Sequence, residues 1–414
     1  MFPAPDLSRL LRLLGFAALS MSFATHAAET LVSVSAGESD RRESIISFPL
    51  PDGFTGPAQL VGREGAAKGM PLAMQSDDQR RGWFVLPTLN RGTTATFALE
   101  KLKPANLKAP LMQSRPDGTT VEFSHSGQLV LRFQTETGEL PRTNIPPIYR
   151  RGGYIQSVFS PSGKLVTDDY PPNHIHHHGI WSPWTKTEFE GRKPDFWNMG
   201  DGKGRVDFVA LDQTWSGSVH AGFRSRQQFV DMLAQPEKVA LHEAWELRVF
   251  NVAGNGTKPL RLFDLVITQR CATTSPLKLP TYHYGGLGFR GHRAWDGTNG
   301  CLFLTSEGIT DRVAGNQTRG RWCWIGGEVD GTPTGIAILG HPNNFRAPQP
   351  MRLNPTEPFF CFAPSQLGDW EIKPGEPYVA RYRFVVADGP PDPALLNRLW
   401  EDYAHPPQVA VMKR

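Results

Sequence analysis

The stretch "HEAWELRVFNVAGNGTKPLRLFDLVI", His242 to Ile267, decides the fold. Trp245, Leu247 and Val249 alternate in it with Glu246 and Arg248. A period of two puts one set on a buried face and the other toward water, the pattern of a half-buried strand. Asn255-Gly256 then precedes a second apolar run from Leu260. Asn-Gly between such runs predicts a tight hairpin, because both residues tolerate the positive φ of its turn. Similar runs recur along the chain: "LVSVSA" from Leu31, "GWFVLP" from Gly82, "TATFALE" from Thr94, "TTVEFSH" from Thr119, "QLVLRFQT" from Gln128 and "YVARYRFVVAD" from Tyr378. The 41 glycines and 36 prolines are scattered evenly between them, and helical periodicity is nearly absent. The pattern argues an all-β protein in sandwich or barrel form, and one large β-sandwich is the expected main body.

Only "DPALLNRLWEDYA" reads as a substantial helix. Asp392 is its cap and Pro393 its first residue, and Leu395, Leu396, Leu399 and Tyr403 share one face. The expected division is an export leader over 1–27, a small N-terminal β domain over 28–110, the main sandwich over 111–390, and a C-terminal helix and tail over 391–414. "EKLKPANLKAP", Glu100 to Pro110, is the expected connector. The leader reading rests on Arg9 and Arg12, the apolar "LLGFAALSMSF" and the small residue Ala27. Leu13 to Phe23 is too short to cross a bilayer, which takes roughly 20 apolar residues. A periplasmic or secreted protein is therefore expected, with no transmembrane segment.

The formal net charge of the 414-residue chain is only +4, and no run of five basic residues occurs. Nucleic acid and anionic membrane surfaces are excluded as expected partners. The four cysteines, Cys271, Cys301, Cys323 and Cys361, have no CxxC spacing, so a zinc ribbon is not expected. Both disulfides and buried free thiols suit them.

Four segments carry chemistry. "PPNHIHHHGIW", Pro171 to Trp181, holds His174, His176, His177 and His178, four of the twelve histidines. If the segment is extended, His174, His176 and His178 share a face and His177 points away. Imidazoles so clustered suit a metal site, a metal-free proton-transfer site or a polar loop. "KPDFWNMGDGKGR" sets Asp195 beside Phe196 and Trp197. That carboxylate is either a base raised by apolar neighbours or a turn cap, and the cap is the stronger reading. "LPTYHYGGLGFRG" places Tyr282, His283, Tyr284 and Arg290 around three glycines, which let backbone approach a ligand or form a bulge. "GHPNNFRAPQP" puts His341 and Arg346 on a proline-rich loop, with a hydrogen-bonding role expected for His341.

Together these segments resemble a family of secreted bacterial proteins known as methane oxygenase PmoA. The likeness runs over roughly Thr119 to Gly389. The family pattern His-x-His-His-Arg-Gly-x-Trp falls on His174, His176, His177, Gly179 and Trp181, and His178 stands where an arginine is usual. The family name is at odds with this sequence, because the methane-oxidising subunit so named is built on membrane helices. The resemblance implies a sandwich similar to galactose mutarotase, in which a histidine and a carboxylate move protons on a pyranose. It also implies an association with carbohydrate-degrading bacteria.

The expected function is a carbohydrate-active enzyme acting on a sugar, glycoside or other small polar substrate by acid–base chemistry. His176, His177 and His283 are the proton-transfer candidates, with Asp195 as carboxylate partner. His174, Trp181, Trp197, Tyr282, Tyr284, Arg290, His341 and Arg346 are the substrate-binding candidates, the two indoles for stacking and the arginines for hydroxyls or a carboxylate. The alternatives are a non-catalytic glycan-binding module and a metal-dependent oxidoreductase or hydrolase with a His-ligated metal. The sequence names no cofactor.

Overall fold

The computed structural model describes Met1 and residues 29–414, apart from 65–66, 104–105, 107–108, 137, 253 and 255–257. The expected leader, part of the connector and the Asn255-Gly256 turn lie outside the described residues. The strands flanking that turn, Lys238–Phe250 and Leu260–Cys271, pair antiparallel with Trp245 opposite Ile267 and Val249 opposite Phe263. Trp245, Leu247 and Val249 enter the main core, as their alternation requires.

This hairpin is the middle of an eight-stranded antiparallel sheet. Its order is Gly204–Trp215, His220–Asp231, Lys238–Phe250, Leu260–Cys271, Tyr378–Asp388, Thr332–Gly340, Trp322–Val329 and Leu302–Thr305. A second eight-stranded sheet packs against it, ordered Met351–Leu353, Phe359–Phe362, Leu287–Arg290, Ile180–Trp181, Tyr154–Val158, Gln128–Gln134, Thr120–His125 and Met112–Asp117. Phe123, Phe133, Ile155, Ile180, Phe289 and Phe360 from one sheet meet Phe223, Leu247, Phe263, Ile336 and Phe384 from the other in one continuous core. The fold is thus an all-β sandwich of large antiparallel sheets.

Alternation also decides what the outer faces carry. In the second sheet Tyr154, Trp181, Gly288, Arg290, Phe359 and Cys361 are the out-of-core neighbours of Ile155, Ile180, Leu287, Phe289, Phe360 and Phe362. The candidate site is built on this face. The outer face of the first sheet is covered instead by the helix Pro393–Ala404 and by the N-terminal strands, through Phe250, Leu262, Trp322, Leu339, Leu396 and Leu399, with Ile45 and Trp83 against them. Asp392 caps that helix by accepting from the backbone N–H groups of Ala394 and Leu395.

The N-terminal strands form a five-stranded and a three-stranded sheet around a separate core. Their five-stranded sheet is completed from the far end of the chain. Gln408–Lys413 pairs with Thr30–Ser35, Thr30 standing opposite Lys413. Residues read as a tail are therefore a strand: Val409 and Val411 pack on the N-terminal core. All four cysteines are free thiols.

Candidate functional site

The histidine segment is not extended. The His174 N–H donates to the Pro171 carbonyl and the His177 N–H to the His174 carbonyl, two successive turns. Pro171 and Pro172 favour this by fixing φ near the turn value. The repeat is therefore three residues, not two, and the expected face of His174, His176 and His178 does not form. His174 and His177 stack at 4.7 Å with an 18° interplanar angle, and His176 stands edge-on to His177 at 88°. His178 does not line the cleft that the other three rings share. Its Nδ1 lies 2.6 Å from Asp169 Oδ1 and its ring stacks 4.1 Å from Tyr154, with only 1% of the residue exposed.

His174, His176, His177, Trp197, Asn198, His283, Tyr284, Arg352, Asn354 and Phe359 line one cleft of about 220 Å³. His176 and His283, more than a hundred residues apart in sequence, meet there. Beneath the cleft lie Trp181, Trp197, Phe359 and Cys361, packed on the outer face of the second sheet. Gly288 lets them pack: a Cβ there would come within 2.8 Å of the Trp197 ring and 3.3 Å of Trp181. The space that this glycine opens is filled by indoles and not by a ligand.

Glu357 is the carboxylate that sequence reasoning missed. Arg290 Nη1 donates to its Oε2 at 2.9 Å, and Asn173 Nδ2 donates to its Oε1 at 3.0 Å. His174 Nδ1 lies 2.9 Å from the same Oε1 but out of line for a hydrogen bond. Among the described residues, Nδ1 of the buried His177 has no hydrogen-bond partner. Burial works to raise the Glu357 carboxyl, and His174 and Arg290 outweigh it, so the group stays below the usual carboxylate range. Burial, with His174 and His178 nearby, pushes the His176 imidazole down to about 4. Burial and the neighbouring His176 hold His177 well below its ordinary value. Burial and Arg352 also lower His283. At neutral pH these three rings are uncharged, fit to accept a proton or donate a lone pair.

Several expected site residues have other work. Asp195 is a turn cap: its Oδ1 accepts from the backbone N–H groups of Trp197 and Asn198, its Oδ2 from Thr185 Oγ1 and Asn198 Nδ2. A carboxylate so saturated has no lone pair to offer a substrate. Trp181 and Trp197, 0% and 1% exposed, have no open face for a sugar. Arg290 is wholly buried and spent on Glu357, Asn173 and Asp296. Arg346 donates to the carbonyls of Pro364, Gly368 and Asp369. His341 lies in a different cavity with Trp400 and accepts from the Asn343 N–H. Tyr282 packs at a tilt against His283 and Tyr284 but does not itself line the cleft, and burial and Tyr284 push its hydroxyl up to about 12. Arg352 takes the place expected of the other arginines: it lines the cleft, and among the described residues its guanidinium makes no hydrogen bond or ion pair. Tyr284 offers its hydroxyl nearby, accepting from Asn198 Nδ2 at 3.2 Å.

No helix among the described residues is long and apolar enough to cross a membrane. A model of a family of unknown function, DUF6807, matches residues 120–401, a span containing every residue of the cleft. No curated protein matches the sequence. Among solved structures, a glycosyl hydrolase family 38 protein from Enterococcus faecalis shares 8% identity at a TM-score of 0.40, over 93% of this chain and 47% of that one. An alpha-mannosidase from Enterococcus faecalis V583 shares 11% at a TM-score of 0.45, over 93% and 46%. The chain spans about half the length of these structures, and likeness at this level transfers no activity.

Proposed function

For a chain that belongs to DUF6807, a family of unknown function, we propose from the cleft itself an exported carbohydrate-active enzyme that moves protons on a sugar or glycoside. The observation that carries the reading is the meeting of His176, His283, Tyr284 and Arg352 in one open hollow beside the His174–Glu357 pair. Neutral imidazoles are ready bases, and the Tyr284 hydroxyl adds a hydrogen-bonding group beside them. The unpaired guanidinium of Arg352 suits vicinal hydroxyls or a sugar carboxylate. At about 220 Å³ the cleft is smaller than the roughly 300–1,000 Å³ of sites for drug-sized ligands. It suits a single ring unit. The resemblance to mutarotase-like folds agrees in chemistry, with Glu357 taking the carboxylate part once assigned to Asp195. Nothing from the methane-oxidation name is carried over.

The test is a panel of glycosides and uronic-acid sugars with product analysis, repeated on variants. His283→Ala and Arg352→Ala should each lower kcat/KM on the turned-over substrate by about 100-fold or more. His341→Ala, in the other cavity, should leave it unchanged. Saturable sugar binding without product from any panel member would mean a binding module. Wild-type turnover by His283→Ala and Arg352→Ala would remove the cleft as the catalytic site.

A further inference from the structure

His174, His177 and Glu357 each present one donor atom, and the three atoms lie within 4.8 Å of one another. Ligands about 2.0–2.2 Å from a common cation stand roughly 3–4 Å apart, so closing this triangle takes a shift of about an ångström. The turn that stacks His174 on His177 keeps one nitrogen of each ring within 4.8 Å of the carboxylate.

A second observation is independent of that spacing. Buried polar atoms are nearly always hydrogen-bonded. Yet among the described residues Nδ1 of His177 lacks a bonded partner, in a residue only 4% exposed, and Nδ1 of His174 has only Glu357 Oε1, 2.9 Å away. Leaving a buried imidazole nitrogen unmet is unfavourable, because it loses its bond to water and gains none in return. Around the carboxylate the situation is reversed. Glu357 is held by Arg290 and Asn173, and Arg290 is itself fixed by Asp296 at 2.6 Å. Outer partners that orient a ligating carboxylate beside a buried imidazole with an unmet nitrogen are what a metal centre requires of a fold.

We infer that His174, His177 and Glu357 are the three protein ligands of one divalent transition-metal ion. Two imidazoles and one carboxylate suit Zn²⁺, Mn²⁺ or Fe²⁺, whereas Ca²⁺ and Mg²⁺ favour oxygen throughout. His174 and His177 line the cleft, so the remaining coordination positions open toward His176, His283 and Arg352. A cation there would acidify a bound water or polarise a substrate oxygen. The inference deepens the catalytic reading above, and its bearing on turnover rests on that reading. Metal binding stands or falls by itself.

The experiment uses the whole chain without a histidine tag, stripped with chelator and titrated separately with Zn²⁺ and Mn²⁺ by calorimetry, with metal content read by mass spectrometry. The expected result is one equivalent per chain for at least one of the two ions. His174→Ala and the near-isosteric Glu357→Gln should each weaken binding by about tenfold or more, with thermal unfolding confirming a folded chain. His341→Ala should bind as the wild type does. A wild type that takes up no more metal than His174→Ala overturns the inference, as does unchanged affinity in both variants. Metal uptake at these residues without turnover of any panel substrate would keep the centre and remove the carbohydrate reading. Turnover lost in His283→Ala without metal uptake would do the opposite.

Discussion

His177 and His178 are neighbours in sequence with opposite environments. His178 is held by Asp169 and lies flat on Tyr154, so its imidazole is part of the packing. Replacing it with Ala removes a buried ring and leaves Asp169 without this partner. A loss of about 2–4 kcal/mol is expected in urea unfolding. Away from the cleft, burial with Arg248 beside it pushes His220 down to about 3, and burial pushes Glu243 up to about 8. The signs are opposite. His220 binds protons more readily once unfolded, so its contribution is intact above about pH 6.5 and is lost as pH falls toward 3. Glu243 holds its proton better when folded, so its contribution is intact below about pH 4.5 and is lost as pH rises through 8. His220→Gln should flatten the acid limb of a stability–pH profile, and Glu243→Gln the alkaline limb. Unchanged limbs in denaturant titrations across pH 3–9 would contradict this. The histidine cluster was legible in the sequence, but the role of each ring was not. Alternation and a three-residue turn separate the rings differently, and carbonyl bonds from Pro171 and His174 decide between them. Glu357 sits in "NPTEPFF" with no spacing signal, and its partners Arg290 and Asn173 lie 67 and 184 residues away.

Strands declare themselves through period two because each has one face in a common core. That is why Trp245, Leu247 and Val249 could be placed from sequence. The short strand Ile180–Trp181 is too brief to show a period. The helix Pro393–Ala404 was legible from its cap and apolar stripe, but the stripe concealed a carboxylate. Asp402 is buried and accepts from Arg41 Nη1 and Ser44 Oγ, both at 2.9 Å, joining the helix to the N-terminal sheet. Asp402→Ala strands Arg41, which is 4% exposed, without its counter-charge. The expected loss is about 3–5 kcal/mol in calorimetric unfolding, well above the roughly 1 kcal/mol for removing the cap with Asp392→Ala.

At the scale of the molecule the layers follow one order: cleft loops, second sheet, core, first sheet, then helix and N-terminal sheets. Gln75 fastens the last joint, accepting from the N–H groups of Val219 and His220 and donating to the His220 carbonyl. The cleft lies on the opposite side of the sandwich from this joint. Deleting Gln408–Arg414 uncovers Thr30–Ser35 and should create or lower a separate thermal transition for the N-terminal sheets. Metal and sugar binding at the cleft should persist in the truncated chain. Loss of cleft binding in a truncated chain whose sandwich remains folded would show that the layers are coupled. Sequence patterning could not reveal this pairing, because nothing local at "QVAVMK" points to a partner nearly four hundred residues earlier.

The same closure has a mechanical side. Glu29 and Arg414 exchange backbone bonds of 3.0 and 2.9 Å, so the open end of this ladder lies between these two residues. Traction applied at Glu29 and Arg414 would load that ladder one rung at a time, like a zip opened from its end, and the edge strand would peel away at low force while the cleft stayed untouched.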